Sequence, residues 1–298
     1  MYHYSKLGSE GEGFRLLRLL KGSGPEIECD LFLQSLQSVH LPYEALSYAW
    51  GSNELVECIK LDEKSFWITD NLHAALQNLR LRDRNRILWI DAICINQEDK
   101  VEQSHQVQQM GQIYEKAEKL LIWLGKATPQ MIALMERLNQ FRNADPDYHY
   151  KLETFQDWNW TDHSIAIKQI LNREWFTRVW ILQEAAKASR ADVCCGAGSI
   201  PTEILVLALS FVKQEFPPHC RPILDIMAKS FRSKSWWAQT RDLRTLLRKF
   251  HGSKATDERD KIYALLGMSL DPLDTKSITI DYQRPTSQVI QEVIKYLL

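Results

Sequence analysis

"YEALSYAWG", residues 43–51, alternates Leu46, Tyr48 and Trp50 with smaller residues and then stops at a glycine. Period-2 alternation ending in a turn former reads as a β-strand. "RILWIDAICINQED", residues 86–99, repeats the arrangement: a nearly continuous apolar run up to Asp91, then the polar cluster Asn96-Gln97-Glu98-Asp99. Continuous apolar runs are what parallel strands buried on both faces need. Between the two, "NLHAALQNLR" places Leu72, Ala75, Leu76 and Leu79 on one helical stripe, with Asp70 as a candidate cap. Beyond them, "VEQSHQVQQMGQIYEKAEK" puts Val107, Met110, Tyr114 and Ala117 on one face, and "KLLIWLG" is a short apolar strand ending at Gly125. This β-α-β-α-β order predicts an α/β fold: a mostly parallel sheet flanked by helices, with right-handed crossovers. Ala45–Trp50, Ile87–Asp91 and Leu120–Leu124 are the expected parallel neighbours.

Upstream, "FRLLRLL" and "IECDLFLQSL" read as strands around the turn "KGSGPE". "ECIKLD" and "FWITD", separated by "EKS", read as a hairpin. Downstream the character changes. A polar, aromatic-dotted insertion near 140–165 precedes a mainly helical remainder, with "ADVCCGAGSI" as a candidate strand and turn and "SITIDY" as a candidate late strand. The expected division is an α/β core over 1–190 and a helical extension over 191–298 packed on it. The sequence stops inside "VIQEVIKYLL", a helical pattern, so a longer parent protein is expected.

Composition narrows the function classes. In 298 residues, 37 Lys and Arg nearly cancel 38 Asp and Glu. No Arg/Lys stripe alternates with aromatics, so DNA binding is not expected. The six cysteines form no CxxC pair, which suits a reducing, cytoplasmic setting. No run is long and apolar enough for a membrane span, and no GxGxxG or GxxxxGK phosphate cradle occurs.

Taken together, "YEALSYAWG", "NLHAAL", "LWIDAICINQED", "QVQQMGQIYEKA", "LLIWLG", "REWFTRVWILQE" and "RDKIYALLG" resemble the fungal heterokaryon-incompatibility (HET) domain. The match is dense from about Tyr43 to Glu184. The resemblance implies a role in cell-death reactions after fusion of unlike strains, with self-association and other incompatibility or sensor proteins as partners. HET domains are in turn similar to Toll/interleukin-1 receptor (TIR) domains, which are flavodoxin-like. Enzymatic TIR domains cleave NAD at the nicotinamide–ribose bond, using a glutamate in a Trp-Cys-x-x-Glu pattern. Trp180 and Glu184 keep that spacing, but Ile181 stands where the cysteine would be, and Trp175 competes with Trp180 for the alignment.

The resemblance makes Glu184 the candidate catalytic carboxylate and NAD, or a related nucleotide, the candidate substrate, with no further cofactor required. Phe176, Trp180 and Glu184 at i, i+4, i+8 would share a helical flank. The alternative is a solvated glutamate paired with Arg173, Arg178 or Lys187. Tyr48, Trp50, Gly51, Asp91, Asn96 and Trp180 are the candidate ligand-binding residues. Each also has a structural reading: Trp50 as core, Asp91 as a cap or an arginine's partner, Asn96 as a loop lock. A Cys94–His105 dyad rests on nothing but the presence of both residue types. Glu98, Asp99 and Glu102 suit a helix N-terminus or, without histidine support, a divalent cation. Two functions remain: an NAD glycohydrolase, or a non-enzymatic death-signalling module that self-associates.

Overall fold

The computed structural model describes residues 2–7, 13–52, 54–144, 160–212, 215–271 and 278–298. Its centre is one nine-stranded sheet. The strands are β1 (Gly13–Leu19), β2 (Glu28–Ser35), β3 (Glu44–Tyr48), β4 (Glu57–Leu61), β5 (Lys64–Ile68), β6 (Arg86–Trp89), β7 (Lys119–Trp123), β8 (Ala191–Cys195) and β9 (Gly198–Pro201). They lie in the order β5-β4-β2-β1-β6-β3-β7-β8-β9.

The expected parallel neighbours are present: β3 pairs in parallel with β6 on one side and β7 on the other. β8 extends this parallel block beyond residue 190. Around it the sheet is mixed, because β1 runs antiparallel to both β2 and β6, and β9 folds back on β8. "ADVCCGAGSI" is therefore a hairpin at the sheet edge, not a single strand.

The main helices are α1 (Asp70–Leu79), the single turn α2 (Asp91–Cys94), α3 (Lys100–Lys116), α4 (Pro129–Ala144), α5 (Trp160–Leu171) and α6 (Trp180–Lys187). After β9 come α7 (Thr202–Ser210), α8 (Cys220–Met227), α9 (Lys229–Arg232), α10 (Leu243–Lys249), α11 (Asp260–Leu266) and α12 (Thr286–Leu297). Residues 145–159, the heart of the expected insertion, lie outside the described residues. No helix among the described residues is long and apolar enough to cross a membrane.

Several local expectations are corrected. Thr69, not Asp70, caps α1: its hydroxyl accepts from the Leu72 N–H at 3.3 Å. The β4–β5 turn centres on Asp62-Glu63, both with positive φ (48° and 61°), one residue earlier than "EKS". Asp62 is held there by the Tyr2 hydroxyl (2.7 Å) and the Leu31 N–H (3.0 Å) on its carboxylate. Asp91 does not end a strand. The β6 ladder stops at Trp89, and Asp91 opens α2. Phe176 and Glu184 do not share a helix, because a 3-10 turn over Glu174–Thr177 and the extended Arg178 precede α6. No strand forms over 278–282; that segment instead lies along α3, where Ser104 Oγ accepts the Tyr282 N–H at 3.0 Å.

Topology sets the position of any site. From β3 the chain leaves, through the β4–β5 hairpin and α1, toward β6. From β7 it leaves the other way, toward β8. Adjacent parallel strands whose connections depart in opposite directions open a crevice between their carboxyl ends. Here that crevice lies between β3 and β7. Right-handed crossovers place α1 on one face and α3 on the other. Side-chain contacts agree: Asn71 of α1 reaches Trp123, while Ser47, alternating to the opposite face, meets Trp175.

Candidate functional site

The carboxyl ends of β6 and β3 bring together Tyr48, Trp50, Asp91, Arg178 and Glu184. Trp50 does not lie open for stacking; its Nε1–H donates to Asp91 Oδ2 at 3.2 Å. Arg178 crosses between the two chain ends and donates from Nη1 to the Tyr48 carbonyl. Its guanidinium is the main favourable charge felt by both Asp91 and Glu184.

Glu184 is only 2% exposed. It is therefore neither the solvated glutamate nor, among the described residues, a member of a close ion pair with Arg173, Arg178 or Lys187. Burial pushes its carboxyl up to about 7, against the opposing pull of Arg178 and of the Ser47 hydroxyl. Ser47 is itself fixed by the Trp175 indole, whose N–H donates to Ser47 Oγ at 2.7 Å. The Tyr114 hydroxyl also reaches the Glu184 carboxyl and lies 3.5 Å from the Leu46 carbonyl. Oε2 of Glu184 is buried with no hydrogen-bond partner. An unpaired buried carboxylate oxygen is costly, so the proton is the cheapest remedy.

Asp91 is also raised, first by burial and against Arg178, yet part of its surface remains exposed. Its Oδ1 accepts the Ala92 N–H at 2.8 Å and its carbonyl accepts from Gln97 Nε2 at 3.0 Å. The site thus holds two carboxyls raised by burial beside one arginine, the inner one sealed and the outer one half-buried.

The other candidates separate from this cluster. Asn96 Oδ1 accepts the Glu98 N–H at 3.2 Å, closing its own turn. Trp180 turns its indole to Asp260 on α11, whose carboxylate also accepts from the Tyr282 hydroxyl at 2.5 Å. Gly51, with φ 71°, belongs to the β3–β7 crevice, where Asn71 Nδ2 donates to the Ala49 carbonyl at 2.6 Å and its Oδ1 accepts from Trp123 Nε1 at 3.0 Å.

Other chemistries fall away. The Cys94 thiol is fully buried and pushed up to about 12, while His105 sits against Gln109 at 3.1 Å. Asp99 caps α3, accepting from the Val101 and Glu102 N–H groups. Glu102 accepts both Nη atoms of the buried Arg15 at 2.6 and 2.9 Å and the Asn96 N–H at 2.7 Å. Among the described residues no group of three or more His, Cys, Asp or Glu could hold a metal ion.

Arg178 and Tyr114 are site residues that the sequence offers only as an ion-pair partner of Glu184 and as part of the apolar stripe of α3. Tyr114 carried a signal, a hydroxyl on the buried stripe of α3. Arg178 carried none until the break before α6 was known. The glycines of "QQMG" and "YALLG" have a shared explanation. A Cβ on Gly111 or Gly267 would lie 2.8 or 2.0 Å from Gln183 Nε2. Both make room for the buried residue next to Glu184, and so hold α6 in place.

A family model described as "Heterokaryon incompatibility protein (HET)" matches residues 43–184. The chain is also similar to "Heterokaryon incompatibility protein 6, OR allele" of Neurospora crassa, with 27% identity over 308 aligned residues. That alignment covers 82% of this chain and 45% of the relative, so the chain spans less than half the length of the protein it matches. No solved structure matches the chain.

Proposed function

We propose, for a chain whose residues 43–184 make it a member of the heterokaryon incompatibility (HET) family, that it acts in fungal incompatibility by hydrolysing the nicotinamide–ribose bond of NAD. The observation that carries this reading is the pair of unlike carboxyls. Glu184 is sealed with one oxygen unpartnered and its proton held to about 7, and the half-buried Asp91 is close enough for its charge to be felt at Glu184. Dissociative cleavage sends the C1′–N electron pair to the pyridinium nitrogen and leaves an oxocarbenium ion on the ribose. An ionised Glu184 stabilises that cation, and water then attacks C1′ while a carboxylate takes its proton. Nicotinamide, ADP-ribose and one proton result. A pKa near working pH lets both forms of the group be populated.

The test is nicotinamide release from NAD by purified protein at high concentration. Glu184→Gln keeps size and hydrogen-bonding reach while removing the charge. Loss of roughly 3 kcal/mol of transition-state stabilisation slows turnover about a hundredfold. An active Glu184→Gln protein would move the catalytic role to Asp91.

The second reading is a non-enzymatic module that signals by self-association. One observation favours it: a ligand would have to displace a neighbouring side chain to touch the sealed Glu184. One edge strand of the sheet, β5, also carries Trp67 at 54% exposure, a surface suited to pairing with another chain. Wild-type protein that kills cells yet never releases nicotinamide supports this reading over the first.

A further inference from the structure

In the carboxyl cluster Asp91 follows β6 and Glu184 meets β3 at Ser47, whereas the topological crevice lies on the β7 side of β3. We propose that this second locus, formed by Gly51, Asn71, Gly125, Lys126 and Arg173, binds the diphosphate of a nucleotide ligand. The proposal deepens the reading of an NAD-cleaving site and rests on it for the identity of the ligand, though not for the binding chemistry.

Three observations converge. First, β3 and β7 are adjacent parallel strands with oppositely directed connections, the arrangement whose crevice takes nucleotides in open α/β sheets. Second, each strand is followed within three residues by a glycine with left-handed backbone, Gly51 at φ 71° and Gly125 at φ 95°. A Cβ on Gly51 would meet nothing within 4 Å except the Asn71 Cβ at 3.8 Å, so the approach to that backbone is open.

Third, the crevice is cationic. Arg173 Nη1 lies 3.6 Å from the position a Gly125 Cβ would take, with Asn71 Oδ1 3.8 Å from the same point. Arg173 is anchored by Nη2, which donates to the Lys126 carbonyl at 2.7 Å, and its Nε is buried without a partner. A guanidinium fixed at one nitrogen with donors left over suits a diphosphate oxygen, which takes charge-assisted bonds in a fork. Lys126 extends the positive charge toward solvent. Its neighbour Asp70, with Oδ2 3.4 Å from the ammonium, opposes anion binding, but both side chains are mostly exposed and such pairs are weak. A dinucleotide laid along the strand ends would thus place its diphosphate at the β3–β7 crevice and its nicotinamide riboside toward the β3–β6 carboxyls, with Tyr48, Trp50 and Gly51 between.

The experiment measures ADP-ribose and adenosine binding calorimetrically to the wild-type chain and to Lys126→Gln and Lys126→Glu, substitutions at an exposed side chain that leave folding intact. Loss of one charge-assisted contact weakens ADP-ribose binding about tenfold, charge reversal weakens it further, and rising salt weakens the wild type alone to a similar degree. Adenosine, which lacks phosphates, should show no difference among the three proteins. Absence of ADP-ribose binding at millimolar concentration overturns the proposal, as does equal binding by all three proteins. NAD cleavage that is indifferent to Lys126 would sink the diphosphate site and leave the catalytic reading standing. ADP-ribose binding that follows the charge at 126, with no nicotinamide released, would do the reverse.

Discussion

Two buried acids a few elements apart face opposite circumstances. Glu102 lies under the "CINQED" loop with Arg15, which is 1% exposed and donates to both its oxygens, to the Cys94 carbonyl and to the Ser5 carbonyl. The backbone N–H of Asn96 completes the arrangement. Glu184 has the Ser47 and Tyr114 hydroxyls beside its carboxyl and no partner on Oε2. The first acid ties β1, the loop and α3 together. The second retains a proton and an unfilled valence of hydrogen bonding. A buried acid with both oxygens paired explains itself as structure, even though Arg15 Nε is buried without a partner, whereas an acid with a bare oxygen asks for another explanation.

Breaking the Arg15–Glu102 pair should have the larger effect on stability. Arg15→Leu leaves Glu102 buried without its cation and should destabilise the fold by about 3–5 kcal/mol in a denaturant titration. A loss below about 1 kcal/mol would mean that the pair contributes little and that the contrast is false. Next comes the wedge beside Glu184. Gly267→Ala drives a methyl into Gln183 Nε2 and should cost about 1–3 kcal/mol, with Gln183→Ala restoring most of it in the double variant. Simple additivity of the two losses would remove Gln183 as the reason for that glycine.

The unpaired acid should reveal itself through pH. In the folded chain Glu184 holds its proton to about 7, against 4.5 for the free group. The folded-state value is raised, so the stabilisation is fully present below about pH 4.5 and is lost as pH rises through 7. Subtracting the stability profile of Glu184→Gln from that of the wild type isolates this group. The difference should fall by up to about 3 kcal/mol between pH 4.5 and 8. A flat difference would place Glu184 among ordinary carboxylates. The smallest effect belongs to the exposed Lys126–Asp70 pair: Lys126→Gln should change stability by less than about 0.5 kcal/mol, so any loss of ADP-ribose binding in that variant is a loss of contact and not of fold.

The parallel centre was legible because strand alternation and helical stripes are local signals, each carried within ten or so residues. The α/β fold and the neighbours β6, β3 and β7 followed from them. Boundaries were less legible where an apolar run outlasts its ladder. "RILWIDAI" reads continuously, but the pairing ends at Trp89 and Asp91 begins a helical turn. The same holds for "REWFTRVWILQE", in which Arg178 leaves helical geometry to reach the Tyr48 carbonyl 130 residues away. Arg15 inside an apolar strand gave no hint of its partner, which lies 87 residues on. Of the candidate site, Tyr48, Trp50, Asp91 and Glu184 do gather at the carboxyl ends of the central strands β3 and β6. Asn96 and Trp180 were drawn in by motif proximity, and their side chains are engaged elsewhere. The Asn71–Gly125–Arg173 crevice depends on strand order, which no local pattern encodes.

The contrast between the two acids rests on the protonation of one group, and carboxyl titration observes that directly. With carbon-13 at the glutamate side-chain carboxyl, the resonance missing from Glu184→Gln identifies Glu184 in the wild-type spectrum. Its chemical shift should change with a midpoint near pH 7, well apart from the exposed glutamates. A midpoint in the ordinary range near 4.5 would contradict the account, leaving Glu184 an ionised side chain whose missing partner must then be found within the protein.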